Sequence, residues 1–314
     1  MNSDMEKALV TGGAGFIGSN IVHELVDQGV DVVVLDSLYL GSTDNLEEIE
    51  DEIEFVHGSV TDREKVEEAI KGCDTVFHQA ARSSSPMHKE DAVEGAVVNI
   101  GGFINTIEAA RDEGVEKVVY ASTSSMYGSV EPPHWEDKEQ HPTNLYTASK
   151  MARELYAKVY SQMTDIHFTG LRYFSVYGPR EKAKGDYANV ITQFMWKMMN
   201  DERPVIWGDG TQSRDFVYVK DVARANIKAA ERRKETNGEY YNIGTGTDVS
   251  FNDLIDMLND VLDKNIEPEY IKHPRDNPVM TTQAHTEQTE EELGWESEVP
   301  LEEGLRKTSE FYGN

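Results

Sequence analysis

Tyr146 and Lys150 stand four residues apart in Tyr146-Thr147-Ala148-Ser149-Lys150, a spacing that puts both side chains on one face of a helix. A cation beside a phenol favours the phenolate and lowers the tyrosine pKa, which suits a general base. The same spacing also occurs on ordinary solvated helices, so the pair gains meaning only from other motifs in the chain. The first of these is Thr11-Gly12-Gly13-Ala14-Gly15-Phe16-Ile17-Gly18. Gly12, Gly15 and Gly18 permit a tight turn, close approach of backbone to a pyrophosphate and close helix–sheet packing. The following helix offers its positive N-terminal end to that anion. Asp36 closes the next apolar run, where an acid bonds ribose hydroxyls. A carboxylate there repels a further phosphate, so the sequence predicts NAD over NADP.

These residues need a scaffold, and the first half of the chain supplies alternating elements. Ala8–Val10, Val32–Leu35, Glu54–Val56, Thr75–His78, Lys117–Tyr120 and His167–Leu171 read as strands. Helical patterns begin at Ile17 and recur over about 62–71, 91–113 and 144–163. Continuous apolar strands alternating with helices predict a parallel sheet with right-handed crossovers. The expected fold is therefore α/β, a doubly wound parallel Rossmann sheet over 1–175. A smaller C-terminal α/β substrate-binding lobe is expected over 176–314, with helices near 187–201, 220–233, 251–263 and 301–312. Some of its strands and helices are allowed to return to the first domain. The polar tract Lys272–Thr289 reads as a long loop near a site.

Composition narrows the function. In 314 residues, 58 acidic side chains face 30 basic ones, a net charge of −28. Such a surface repels nucleic acid and anionic membranes. No apolar leader opens the sequence and no run approaches the ~18 apolar residues of a span, so the expectation is a soluble cytoplasmic protein. Cys73 is the one cysteine and the nine histidines are scattered, which predicts no disulfide and no metal site. His78 reads as a packed residue at a strand end, and Trp135, Trp196 and Trp295 as packing groups. The acids are spread in surface runs such as Glu290-Glu291-Glu292, the pattern expected of a halophilic protein whose self-repulsion salt must screen. Thermal midpoints should rise from dilute buffer to molar salt; equal midpoints would remove that expectation.

The chain resembles the extended short-chain dehydrogenase/reductase family, and within it the NAD-dependent nucleotide-sugar epimerases of the UDP-glucose 4-epimerase type. The likeness spans about residues 7–312. It rests on the glycine turn, Asp36, His78-Gln79-Ala80-Ala81, Asn99, Ser122-Thr123-Ser124-Ser125-Met126-Tyr127-Gly128, Tyr146 with Lys150, Arg172-Tyr173-Phe174-Ser175-Val176-Tyr177-Gly178-Pro179-Arg180, and Gly208-Asp209-Gly210-Thr211-Gln212-Ser213-Arg214-Asp215-Phe216. The resemblance implies that Phe16 and Ile17 line the cofactor diphosphate, Asp62 approaches adenine, Ala80 and Ala81 lie under the dinucleotide, Asn99 supports it and Phe174 packs beside nicotinamide. It makes Tyr146 the base, Thr123 the hydroxyl that bonds sugar O4, and Lys150 the ribose ligand that tunes Tyr146. Asn189, Val190, Val205, Ile206 and Trp207 would hold the substrate nucleotide, Arg214 and Arg275 its diphosphate, and Thr282 would stand beside the sugar C2 substituent.

Three positions depart from the family pattern. Ser59 replaces an adenine-contacting aspartate, Ser175 an asparagine that contacts the substrate diphosphate, and Pro278 an aspartate. The implied activity is 4-epimerisation of a UDP-hexose through a 4-keto intermediate, with glucose and galactose or their N-acetylated counterparts as sugars. UDP-glucuronate 4-epimerases and decarboxylases share these motifs. A 4,6-dehydratase instead needs Asp-Glu after the threonine, where this chain has Ser124-Ser125. A reading of another class is a non-catalytic NAD-binding sensor, against which Thr123, Tyr146 and Lys150 stand together. The family also implies a homodimer through the helices at 91–113 and 144–163.

Overall fold

Alternate side chains of the apolar strands divide between two cores. Ala8, Val10, Val32 and Val34 pack into one, while Leu9, Val33 and Leu35 pack into the other. That two-residue period with both faces apolar is what a sheet covered on both sides requires. The computed structural model describes residues 5–232, 234–274 and 278–313. Its first part runs β1 (Lys7–Thr11), α1 (Phe16–Asp27), β2 (Asp31–Asp36), β3 (Ile53–His57), α2 (Arg63–Ala69), β4 (Thr75–His78), α3 (Ser85–Glu90), α4 (Ala92–Ala96), α5 (Gly102–Glu113), β5 (Lys117–Thr123), α6 (Leu145–Met163) and β6 (His167–Tyr173). The second part comprises β7 (Ser175–Tyr177), α7 (Val190–Met199), β8 (Val205–Trp207), β9 (Ser213–Tyr218), α8 (Val219–Glu231), β10 (Glu239–Ile243), β11 (Asp248–Ser250), α9 (Phe251–Leu262), β12 (Glu269–Ile271), β13 (Thr281–Thr282) and α10 (Leu301–Gly313).

The main sheet has the order β10-β6-β5-β4-β1-β2-β3 and every pairing in it is parallel. Strand order reverses at β1, with β2 on one side and β4 on the other, and such a switch point opens a crevice at the carboxyl ends of the strands. Register brings those ends level: Thr11 pairs with Leu35 and with His78, and Thr123 pairs with Tyr173. The doubly wound Rossmann sheet is thus present. It recruits β10 and α8 from the second part, since Tyr241 and Ile243 of β10 and Val222 and Ala225 of α8 share a core with α1.

The remaining second-part elements form a smaller sheet of β11, β9 and β13, with β7 added on β9, and a pair of β8 with β12. A separate apolar cluster built on Ile191, Met195, Met198, Ile206, Leu254, Leu258 and Leu305 holds this region together. Phe194, Met195 and Met198 of α7 are core residues, with Met199 partly buried against them. The polar tract after Lys272 is not wholly loop. Thr281–Thr282 joins β9, and Ala284 bridges His134. Among the described residues, no helix is long and apolar enough to cross a membrane.

Candidate active site

Asn144 caps α6, its Oδ1 accepting from Thr147 N at 3.0 Å, and the first turn then presents Tyr146 to the end of β5. A cap of this kind fixes where the helix begins and so fixes the angle of the side chains in its first turn. Thr123, the last residue of β5, hydrogen-bonds the Tyr146 side chain, while its Oγ1 also accepts from Ser125 N at 3.2 Å. Lys150 lies one turn later and donates to the Ala121 carbonyl at 3.0 Å, with its Nζ 5.9 Å from the centre of the Tyr146 ring. All three line one cleft of about 720 Å³.

Electrostatics around the pair differ from the simple expectation. Burial pushes the Tyr146 phenol above its ordinary value, opposed by the Thr123 hydrogen bond and by the positive charge of Arg153. Burial pushes Lys150 well down, with Arg153 adding to that shift. Arg153 is a further positive charge that acts on the phenol. It is fully buried and donates from Nε to Asn99 O at 2.6 Å and from Nη2 to Ala80 O at 2.8 Å. Arg153 follows Tyr146 by seven residues, two helical turns, so its place on the same face was open to sequence reasoning.

Asn99 stands behind the cleft wall. It lies in a π-helical turn, Val97–Gly101, the type of irregularity that often marks functional positions. Its Oδ1 accepts from Arg82 N at 2.8 Å and its Nδ2 donates to Ser149 Oγ at 2.8 Å, which in turn donates to Tyr146 O at 2.7 Å. Asn99 therefore supports both the loop after β4 and the helix that carries the tyrosine.

The cleft is also lined by Gly12, Gly15, Phe16, Ile17, Gly18, Asp36, Ala80 and Ala81, and by Phe174, which packs with Tyr127 and His134. A side chain at Gly12 would meet Ala80 N at 2.8 Å, and one at Gly18 would meet Gly12 O at 2.1 Å. The turn between β1 and α1 thus lies backbone to backbone against the end of β4. Helix α1 begins at Gly15 with no side-chain cap and no acid in its first turn, so its leading N–H groups keep their capacity for an anion. Asp36 is buried, with Oδ2 accepting from Ala14 N at 3.0 Å and Oδ1 from Leu38 N at 2.7 Å. Burial raises its pKa and those bonds oppose the rise. An uncapped helix start, a glycine cradle and an acid at the neighbouring strand end fit a dinucleotide without a 2′-phosphate.

Asp62 caps α2, its Oδ1 accepting from Glu64 N at 3.1 Å and Lys65 N at 3.4 Å. Ser59, Val60 and Thr61 line the cleft in that region.

Of the residues expected to hold substrate, Ser175 and Asn189 line the same cleft, and Asn189 caps α7 just before Val190. Val205, Ile206 and Trp207 form β8 away from the cleft lining, with Trp207 half exposed. Arg214 and Thr282 face each other in register on β9 and β13. The Arg214 guanidinium donates to Ser213 O at 2.6 Å, Met280 O at 3.1 Å and Val279 O at 3.1 Å. Its neighbour Asp215 is engaged by Thr245, Gly246 and Ala284. Arg275 lies outside the described residues. Among the described residues no group of three or more His, Cys, Asp or Glu could hold a metal ion. His78 is buried against Thr11 and Phe103, in keeping with a packed role.

The model of the NAD dependent epimerase/dehydratase family matches residues 8–244. A UDP-glucose 4-epimerase from Mycolicibacterium smegmatis is 35% identical over 320 residues, covering 98% of this chain and 99% of that one. The structure is similar to that of a UDP-N-acetylglucosamine 4-epimerase from Methanobrevibacter ruminantium in complex with UDP-N-acetylmuramic acid, with a TM-score of 0.92, 32% identity and 98% of each chain covered. It is also similar to UDP-glucose 4-epimerase from Thermotoga maritima with UDP-glucose, with a TM-score of 0.91, 35% identity and 98% of each chain covered.

Proposed function

The chain belongs to the NAD dependent epimerase/dehydratase family, and within it we propose that it inverts C4 of a UDP-hexose. The observation that carries this reading is the gathering of Thr123, Tyr146 and Lys150 in the cleft that the glycine turn and Asp36 also line. NAD is the cofactor of the family. The glycine turn and the start of α1 would hold its diphosphate, Asp36 its adenosine ribose, Lys150 its second ribose, and Phe174 would flank its nicotinamide. When bound, NAD would supply reversible hydride transfer at the sugar C4.

The residues of the chain manage the proton. The Tyr146 phenolate oxygen takes the O4 proton as the alcohol becomes a ketone and gives it back when the alcohol re-forms. Thr123 holds O4 within reach and stabilises the phenolate by the bond it already makes to Tyr146. Arg153 supplies the positive field from behind the wall. Ser175 and Asn189 at the cleft, and Arg214 beyond it, would anchor the nucleotide and its diphosphate while the hexose turns. Ser124 and Ser125 line the cleft where a dehydratase needs an acid and a base. Hydroxyls there favour epimerisation over elimination.

Thr282 leaves more room beside C2 than a tyrosine would, which favours activity on both the glucose and the N-acetylglucosamine pairs. A panel of UDP-sugars incubated without added NAD tests this. The expected result is C4-inverted product from both pairs, with Thr282→Tyr losing the N-acetylated pair at least about tenfold more than the other, the scale of a steric discrimination of 1–3 kcal/mol. No inverted product from any UDP-sugar would overturn the function, and equal loss on both pairs would remove the role of Thr282.

A homodimer accompanies this reading. Val93 and Val97 beside α5, and Leu155, Val159 and Met163 on α6, are apolar and largely exposed, on the two helical segments expected to pair across a two-fold axis. Sedimentation should give twice the chain mass, and a monomer at micromolar concentration would count against the interface.

A further inference from the structure

Loops that follow β2 and β4 meet across the mouth of the cleft. Because β2 and β4 flank β1 on opposite sides, a contact between these loops spans the turn from β1 to α1, over which a dinucleotide diphosphate must pass. Tyr39 supplies one side of that contact and Arg82 the other, the guanidinium carbon lying 3.3 Å from the centre of the tyrosine ring. Tyr39 is 56% exposed, so no core contact dictates its position. Arg82 is held firmly. Its N–H donates to Asn99 Oδ1 at 2.8 Å, its carbonyl accepts from Asn99 Nδ2 at 3.2 Å, and its Nη2 lies 3.0 Å from Glu94 Oε1. Tyr39, Arg82 and Glu94 all line the cleft.

We infer that the Tyr39–Arg82 stack is a latch closed over the diphosphate of bound NAD, retaining the cofactor between the two halves of the reaction. The inference rests on the NAD site proposed above and is independent of the sugar. The chemistry gives retention a purpose, because a cofactor lost after the first half-reaction would strand a ketone. The asymmetry of the contact suits a latch: Arg82 is anchored through Asn99 to the helix that carries Tyr146, while Tyr39 sits on an exposed loop and can swing aside. A cation stacked on an aromatic face stabilises closure without a covalent or buried bond that would block loading.

The test uses full-length protein loaded with NAD and freed of excess cofactor. Release is followed after dilution by enzymatic detection of free NAD, and the thermal midpoint of each cofactor-free variant is recorded. Tyr39→Ala and Arg82→Met are each expected to release NAD about tenfold faster than wild type with unchanged midpoints. The double variant should release it no faster than either single one, and Tyr39→Phe should stay within about twofold of wild type because it keeps the ring. Unchanged release in both single variants would overturn the latch, as would a double variant whose acceleration is the product of the two. Wild type that retains no NAD would overturn the cofactor site itself, and with it the latch.

Discussion

Tyr146→Phe is expected to lower kcat for C4 inversion by about 10²–10⁴-fold, the usual contribution of a positioned general base, while leaving NAD content unchanged. The ring keeps its packing in the variant, and the Asn144 cap that sets the start of α6 does not involve the phenol. Only the oxygen proposed to exchange a proton with O4 is lost. The surroundings of that oxygen also set a pH dependence. Burial holds the phenol above its ordinary value, so the phenolate is a minority form at neutral pH and kcat should climb as pH rises. Thr123→Val removes a bond that favours the phenolate and should move that climb to higher pH, besides lowering the rate. Stopped assays of product formation over a pH series in both variants check these points. Turnover of Tyr146→Phe near the wild-type level would remove Tyr146 as the base.

The sheet was legible because parallel strands covered on both faces read as nearly continuous apolar runs. Val32 to Leu35 has no other stable home. The glycine turn, Asp36 and the Tyr146–Lys150 pair were legible for a related reason: each is a local arrangement whose spacing carries its own geometry. What escaped the sequence depends on contacts between distant segments. Strand β10 joins β6 across more than sixty residues, and nothing local marks Tyr241 as a sheet residue and not a lobe residue. The influence of Arg153 on Tyr146 depends on the burial of both groups, which spacing alone does not show. The Tyr39–Arg82 stack joins two loops with no shared motif. Asp62 is instructive in the opposite sense. An aspartate directly before Arg63 and Glu64 is an N-cap signal, and its carboxylate caps α2.

Arg214→Met is expected to raise KM for UDP-hexose by about 10- to 150-fold, the equivalent of 1.5–3 kcal/mol for hydrogen bonds to a charged group, with kcat largely retained. In a chain of net charge −28, Arg214 meets three backbone carbonyls and no carboxylate among the described residues, and Asp215 next to it is committed to Thr245, Gly246 and Ala284. Burial alone lowers its pKa to about 10, which leaves it charged at neutral pH and without a carboxylate partner among the described residues. A guanidinium in that condition gains most from a phosphate, whose oxygens match its planar donors. The split between KM and kcat follows from the reaction. In the proposed reaction the diphosphate would be gripped in the same way before and after the hexose turns, so the contact would bind ground state and transition state alike and its removal would weaken binding without slowing chemistry. The guanidinium carbon lies 5.7 Å from the centre of the Phe251 ring, and methionine keeps an unbranched apolar side chain at that position, which separates loss of charge from loss of packing. Initial rates across a range of UDP-hexose concentrations, with NAD content measured in parallel, give the answer. A large fall in kcat at unchanged KM would place Arg214 in the chemistry of the sugar, and no change in either would return it to a structural role on β9.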